Sequence, residues 1–391
     1  MSKLSILDVK ISNKNVLIRV DFNVSIHDGK ILDDTRIRET IPTLKYLLGK
    51  NNTLIILSHL GRPKGQDEKY SLKPVYLRLQ KYLNREVLFI NQFKKDPKSI
   101  IARLKKGSVV MLENIRFNPG EELNDKTYSK SLAKLGEVYV NDAFAVSHRA
   151  HASTVGITKF LPAFAGLLLI KEINVLVKVL TKPDRPVVSI IGGAKISDKI
   201  GLIKKQLDLA QTVIVGGGIA NTFLKAKGIT IGKSLVENEA VETARVLLYE
   251  AASKHSALLL PLDVIVKDSL SGSISQKPVH QVLDTDAIMD IGKESIKLFE
   301  KHILNAGTII FNGPVGKHEE APFGKGTRKL IVATAESKGL SVIGGGDTLA
   351  AIPNQKVAES ITHISTGGGA MLEFIEKGSL PGIDAIKNKA N

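Results

Sequence analysis

The feature that most restricts the fold is a recurring unit. A short run of β-branched and aliphatic residues ends in a polar or glycine-rich turn, and a stretch of helical periodicity follows. In the first half the runs begin at 15, 53, 109 and 138; in the second half they occupy 187–191, 213–215, 258–266, 308–311, 341–343 and 361–365. Apolar runs of this length bounded by turn residues read as buried strands. Helical stretches between them supply the crossover connections that parallel strands need, so the pattern predicts α/β architecture with parallel sheets. Between the first two strands, for example, Ile37, Ile41, Leu44, Leu47 and Leu48 recur at helical spacing behind a capping Asp34 or Thr35.

The alternation occurs in two series, and 391 residues allow two or three domains of ordinary size. Between the series lies 167–180, apolar nearly all round and stopped by Thr-Lys-Pro-Asp-Arg-Pro at 181–186. A helix of that kind packs between two bodies, so the inter-domain connection is placed here. The expected division is a domain over 1–166, a helix and linker over 167–186, a second domain over 187–377 and a tail over 378–391. The chain has no cysteine, which excludes disulfides and thiolate metal sites. Its longest strongly apolar run, 164–170, is too short to span a bilayer, and no cationic-then-apolar leader opens the sequence. A cytoplasmic protein with no membrane partner is expected.

The net charge of +16 is unevenly placed: residues 1–190 carry 32 Lys/Arg against 18 Asp/Glu, and residues 191–391 carry 23 against 21. The first half should therefore attract anions. Nucleic acid is one candidate, disfavoured by the absence of tryptophan, by 5% aromatic content and by the lack of a nucleic-acid-binding motif. A small, multiply charged substrate fits as well.

Candidate chemistry clusters where the strands end, the edge at which open α/β sheets bind ligands. The first strand runs into Asp21 and Asn23. The second runs into Ser-His-Leu-Gly-Arg-Pro, which carries His59 and Arg62. The third leads to Arg116, the fourth to Ser-His-Arg-Ala-His with Arg149, and Arg36 opens the first helix. One surface arginine is ordinarily a solvated charge. Four at matching loop positions suit bidentate capture of a carboxylate and a phosphate. His148 and His151, without a third ligand, are weak evidence for a metal.

In the second half, Gly192-Gly193 follows a strand and precedes Lys195 and Lys199. A strand, a glycine turn and a helix start make an anion site. If the helix has begun by Lys195 the two lysines share a face; they then either hold a moving phosphoryl group or are simply solvated. Triple glycines at 216–218, 344–346 and 367–369 suggest a nucleotide lying along the strand ends. No standard signature is present: Asn221 stands where a dinucleotide fingerprint needs its third glycine, and 228–234 is one residue short of a P-loop. Asp347 with Thr348 is either a magnesium-side pair or a helix cap, and the two roles are compatible.

Seven segments then appear in order: Val-Asp-Phe-Asn-Val (20–24), Ser-His-Leu-Gly-Arg-Pro (58–63), Glu-Asn-Ile-Arg-Phe (113–117), His-Arg-Ala-His-Ala-Ser (148–153), Gly-Gly-Ala-Lys-Ile-Ser-Asp-Lys (192–199), Asn-Gly-Pro-Val-Gly (312–316) and Gly-Gly-Gly-Asp-Thr (344–348). With them the chain resembles the phosphoglycerate kinase family along nearly its whole length. The resemblance implies two Rossmann-like domains, each a parallel sheet flanked by helices, joined by a helix with a cleft between them and a tail returning to the first. It implies a monomer that transfers a phosphoryl group reversibly between 1,3-bisphosphoglycerate and MgADP, giving 3-phosphoglycerate and MgATP. Matched motif by motif, Asp21, Phe22, Asn23, Arg36, His59, Leu60, Gly61, Arg62, Arg116 and Arg149 would bind the phosphoglycerate. Lys199, Gly217, Asn312, Glu319, Gly345, Gly346, Asp347 and Thr348 would bind ATP or ADP, and Asp347 would meet Mg²⁺. Arg36, Lys195 and Lys199 would serve the transfer itself.

The acceptor is a carboxylate already ionised at neutral pH, so no general base is required. Three places depart from the family pattern: Ala145-Val146-Ser147 replaces Gly-Thr-Ala, Lys317-His318 replaces Val-Phe, and Phe311 replaces Trp. The alternative carried forward is an anion- or nucleic-acid-binding protein on the same fold.

Overall fold

The computed structural model describes residues 3–389 except 94 and 255. It divides into two compact units, one formed by the residues up to Val175 together with those from Lys377 onward, the other by Leu176–Glu376.

The first unit is built on a parallel six-stranded sheet. In chain order its elements are β1 (Asn15–Arg19), a small hairpin of β2 (Ile26–His27) and β3 (Lys30–Ile31), then β4 (Thr53–Leu57), β5 (Leu88–Ile90), β6 (Val109–Leu112), β7 (Val138–Asn141) and β8 (Ala163–Ala165). The sheet order is β5-β6-β4-β1-β7-β8. Successive side chains alternate between its faces. Val16, Ile18, Leu54, Ile56, Met111 and Val140 pack one core with Ile37, Leu44, Leu47 and Leu79 of the flanking helices. Leu17, Ile55, Leu57, Val110, Leu112 and Tyr139 pack the other with Ile101, Leu132 and Ile157. Burial on both faces is why these strands read as unbroken apolar runs.

β5 and β8 are edge strands of three residues; Leu88–Ile90 is too short to stand out, and Ala163–Ala165 merges into the apolar run 164–170 that continues as a helix. The hairpin turns on Asp28 (φ +47) and Gly29 (φ +70), an Asp-Gly pair of the kind that closes tight hairpins. The residues after Lys377 are stitched into this unit: the Leu4 amide donates to the Lys387 carbonyl at 2.9 Å, and the Gly382 amide to Ser147 at 2.8 Å.

The second unit carries β9 (Val187–Ile191), β10 (Thr212–Val215), β11 (Ala257–Leu259), β12 (Asp263–Asp268), β13 (Ile274–Pro278), β14 (Asp286–Ile291), β15 (Thr308–Asn312), β16 (Leu340–Gly344) and β17 (His363–Ile364). The main sheet, β11-β10-β9-β15-β16-β17, is parallel and has the doubly wound order 3-2-1-4-5-6. The order reverses between β9 and β15, where such folds bind their ligands.

One expectation is corrected here. The apolar run 258–266 is not one strand: it breaks at Pro261 and Leu262 into β11, at the edge of the main sheet, and β12, the centre of a separate antiparallel sheet, β13-β12-β14. Proline has no amide to donate, which makes it a natural break point. Among the described residues, no helix is long and apolar enough to cross a membrane.

Candidate functional site

In the first unit, the turns after β1, β4 and β6 and the start of the helix Thr35–Leu48 bring polar groups together at the carboxyl edge of the sheet. Arg36 Nη1 donates to Asp21 Oδ2 at 2.6 Å and to the Asn23 carbonyl at 3.2 Å. Asn23 Oδ1 accepts from the Gly61 amide at 2.8 Å, and Arg116 Nη1 donates to the Gly61 carbonyl at 2.7 Å. Gly61 has φ +63, and an added Cβ would lie 2.4 Å from the Tyr70 ring, so this turn admits only glycine.

His59 is buried. Burial holds its pKa well below the ordinary value, with help from the charges of Arg19, Arg116 and Arg36. Burial likewise pushes Arg116 down to about 10, against the opposing charge of Glu122, and His151 down to about 3 beside Arg116, Arg19 and Arg149. The cluster therefore contains permanently charged guanidinium groups and neutral imidazoles.

Arg36, His59, Arg116 and Arg149 thus lie within one electrostatic neighbourhood, while Arg62 is exposed beside Gly61. Phe22 and Leu60 point into the hydrophobic core and can offer a ligand only main chain. Arg149 sits in the departing Ala145-Val146-Ser147 loop. That loop is tied down: Asn141 Nδ2 donates to Ser147 Oγ at 3.2 Å, and Ser147 Oγ donates to the Ala143 carbonyl at 2.9 Å.

Sequence reasoning missed Arg19. It sits at the end of β1 and is fully buried, donating to Ser153 Oγ at 2.9 Å and to His59 Nδ1 at 3.1 Å. The available signal was an arginine inside an otherwise aliphatic strand, since a buried charge must find partners.

In the second unit the order reversal between β9 and β15 is occupied by one ammonium group. Lys199 Nζ donates to the Gly192 carbonyl at 2.6 Å, to Asn312 Oδ1 at 2.8 Å and to the Asn312 carbonyl at 3.3 Å. Burial pushes its pKa down to about 8, partly offset by Asp347 and Asp198. Lys195 is exposed. The helix begins only at Ile200, after a 3₁₀ turn over Ser197–Lys199, so the two lysines do not share a helical face.

The glycines here also correct an expectation. The Gly192 and Gly193 amides are not free for an anion; they donate to the Asn312 and Pro314 carbonyls at 2.9 and 3.0 Å. Gly217 has φ +64, and a Cβ there would lie 2.8 Å from the Gly193 carbonyl oxygen. These glycines let three turns interlock beneath the site.

A cavity of about 610 Å³ opens above them, within the usual range for a small-molecule site. Its walls include Gly217, Gly218, Leu235, Ile288, Met289, Pro314 and Val315, with Glu319, Asp347 and the departing Lys317 and His318 also lining it. Asp347 is exposed and lies in the first turn of the helix Gly346–Ala350, whose cap is Gly345 (φ +100), so Asp347 is not the cap. Thr348 is buried and accepts from the Gly313 amide at 2.7 Å, and Asn312 Nδ2 donates to the Gly344 carbonyl at 2.8 Å. Thr348 and Asn312 therefore brace the turns. Gly346 is exposed, with nothing within 4 Å of a Cβ placed there.

Compared with known proteins, the chain matches the family model "Phosphoglycerate kinase" over residues 6–378. The phosphoglycerate kinases of Pelotomaculum thermopropionicum and Moorella thermoacetica are 47% and 46% identical to it, with 100% of this chain and of each relative covered. Solved phosphoglycerate kinases from Coxiella burnetii and Pyrococcus horikoshii OT3 resemble it with TM-scores of 0.89 and 0.84, at 41% and 33% identity, covering 98% of both chains in each comparison.

Proposed function

The chain belongs to the phosphoglycerate kinase family, and on that premise we propose that it moves a phosphoryl group reversibly between 1,3-bisphosphoglycerate with MgADP and 3-phosphoglycerate with MgATP. In this reading the arginine cluster of the first unit holds the phosphoglycerate: Arg36, Arg62, Arg116 and Arg149 supply charge, Asp21, Asn23 and His59 orient it, and Phe22, Leu60 and Gly61 contribute main chain. The cavity of the second unit holds the nucleotide, with Gly217 and Gly345 shaping its turns and Glu319 at the ribose end.

The observation that carries the proposal is the placement of Lys199: a partly desolvated ammonium fixed between two turns at the order reversal of a doubly wound sheet, beside a cavity of nucleotide size. Such a group is preorganised to meet charge on a transferred phosphoryl group. In this reading Arg36 and Lys195 also serve the transfer. A phosphoryl transfer of this kind asks the protein for in-line positioning and charge neutralisation. The acceptor carboxylate needs no base, and the neutral, buried His59 suits donation of a hydrogen bond better than proton abstraction.

The donor set fits magnesium. Among the described residues no three His, Asp or Glu side chains form a cage, but Asp347 presents one exposed carboxylate in the cavity wall. Mg²⁺ is usually held by one or two carboxylates together with substrate phosphates. Bound there it would neutralise charge between the nucleotide phosphates.

The test is an assay of 3-phosphoglycerate-dependent ADP formation with and without Mg²⁺. Turnover that requires both supports the proposal; salt-sensitive duplex binding with no turnover would replace it with the nucleic-acid reading.

A further inference from the structure

A line of buried polar side chains runs through the first unit from a carboxylate that no strand-end motif includes. Glu121 is fully buried, and both its oxygens accept from Ser153, Oε2 from the amide at 3.0 Å and Oε1 from the hydroxyl at 2.6 Å. A serine hydroxyl has one proton. Having given it to Glu121, Ser153 Oγ can only accept from Arg19 Nε, which lies 2.9 Å away. Arg19 next donates Nη2 to His59 Nδ1 at 3.1 Å, and Nη1 to the Val20 carbonyl. Arginine is donor only, so Nδ1 must be the bare nitrogen and the neutral ring carries its proton on Nε2. Asp21 Oδ1 stands 3.6 Å from that Nδ1, and its other oxygen takes Arg36 at 2.6 Å.

The bonds from Arg19 run one way because arginine only donates, and Glu121, by taking the single Ser153 proton, leaves Oγ free to receive Arg19 and so anchors the guanidinium against His59. Stability does not explain it. Two opposite charges buried together are often no better than an apolar packing of the same volume, so the arrangement is best understood through what it orders. We infer that Glu121 is a positioning residue for the phosphoglycerate site: acting through Ser153 and Arg19, it holds the guanidinium against His59 Nδ1 and so fixes the Nε2–H that His59 presents to substrate. This rests on the proposed function of the cluster. A side-chain amide at 121 would put an NH₂ donor against either the Ser153 amide or its hydroxyl. Arg19 would lose its counter-charge and its anchored place against Nδ1, and with the guanidinium displaced His59 could exchange tautomers.

Two variants test it. Glu121→Gln removes the charge, and Ser153→Ala cuts the line at the hydroxyl while leaving Glu121 and Arg19 in place, so one variant remains informative if the other folds poorly. In both, KM for 3-phosphoglycerate should rise roughly tenfold, the loss of one charge-assisted hydrogen bond, with KM for ATP unchanged. ¹⁵N long-range spectra of the imidazoles, with His59 assigned by its absence from His59→Gln, should show the Nε2–H tautomer in the unmodified chain and a mixture in the variants. A lowered melting temperature with both KM values and the His59 tautomer unaltered would make Glu121 merely structural and overturn the inference. An unmodified chain with no turnover defeats the functional reading and this inference with it. An active unmodified chain with active, unshifted variants defeats the inference alone.

Discussion

If Lys199 meets the nucleotide phosphates, nucleotide binding must take up protons, and the amount follows from its surroundings. The free ammonium is desolvated between the Gly192 carbonyl and Asn312, and its pKa is about 8 against an ordinary 10.5. A polyphosphate placed beside it restores the charged form and returns the pKa toward its ordinary value. With a free value of about 8, the amine is about nine-tenths protonated at pH 7, about half at pH 8 and about one-tenth at pH 9. The phosphates are essentially fully ionised by pH 8, so binding should take up about 0.5 proton at pH 8 and about 0.9 at pH 9.

Titration calorimetry of ADP binding in buffers of different ionisation enthalpy gives this number directly as a slope. Lys199→Met should flatten the series to near zero. Uptake that stays below about 0.1 at pH 8 and 9, or that survives in the methionine variant, would refute the placement of Lys199 against phosphate.

The same shift sets a stability signature of opposite sign to the usual lysine. The folded pKa lies below the unfolded one, so protonation favours the unfolded chain. The penalty is full below about pH 8 and vanishes as pH climbs past 10.5. Screening and relaxation of a group that is not wholly buried reduce it to the order of 2 kcal/mol. Lys199→Met removes that penalty but leaves Asn312 Oδ1 and the Gly192 carbonyl without this donor. The difference in pH slope between the two proteins, rather than the melting temperature at one pH, is therefore the diagnostic.

Arg36→Ala should lower kcat/KM for 3-phosphoglycerate on the order of 10³-fold in a coupled assay, while circular dichroism stays unchanged because the side chain is only partly buried; near-normal turnover would remove Arg36 from the site. Asp347→Asn should shift the Mg²⁺ titration of activity upward by roughly tenfold and leave KM for 3-phosphoglycerate alone, and an unmoved Mg²⁺ midpoint would exclude the carboxylate as a ligand. Gly217→Ala forces a side chain onto φ +64 and to within 2.8 Å of a carbonyl oxygen, so urea unfolding should show a loss of about 1–3 kcal/mol together with weaker ADP binding. An alanine variant as stable as the unmodified chain would mean that the interlocked turns are slack.

What could be read in the sequence was whatever burial makes periodic. β1, β4, β6, β9, β10, β15 and β16 lie inside their sheets, and each appeared as an apolar run. The edge strands β5 and β8 have three residues each: β5 is too short to show as a run, and β8 is lost in the apolar stretch 164–170 that leads into the next helix. β13 was invisible for a related reason: Ile274–Pro278 is almost wholly exposed, so its Ser, Gln and Lys carry no core-facing alternation. Among candidate site residues the strand-end motifs pointed to Arg36, His59 and Lys199. They could not expose Arg19, whose charge reads as the edge of a strand, or Glu121, which lies between Gly120 and Glu122 in what reads as a surface turn. The roles of Asn312 and Thr348 were legible as motif membership only, because bracing a turn depends on which carbonyls and amides come near it in space.

On the proposed assignment the two units would meet anionic ligands with different cations, guanidinium groups in the first and an ammonium in the second. The first unit carries guanidinium groups, which stay charged through the neutral range even with Arg116 lowered to about 10, and burial and like charge suppress the titration of His59 and His151. The second unit uses a lysine whose desolvation brings it to the edge of neutrality at about 8. An ammonium held near that point is partly discharged in the free protein only above neutral pH, and phosphate placed beside it would restore the charge. Arginine could not do this, and a solvated lysine would not need to. The alkaline limb of any pH–activity profile then belongs to Lys199, and it should move when Lys199 is changed and stay where it is when Arg36 or Arg116 is.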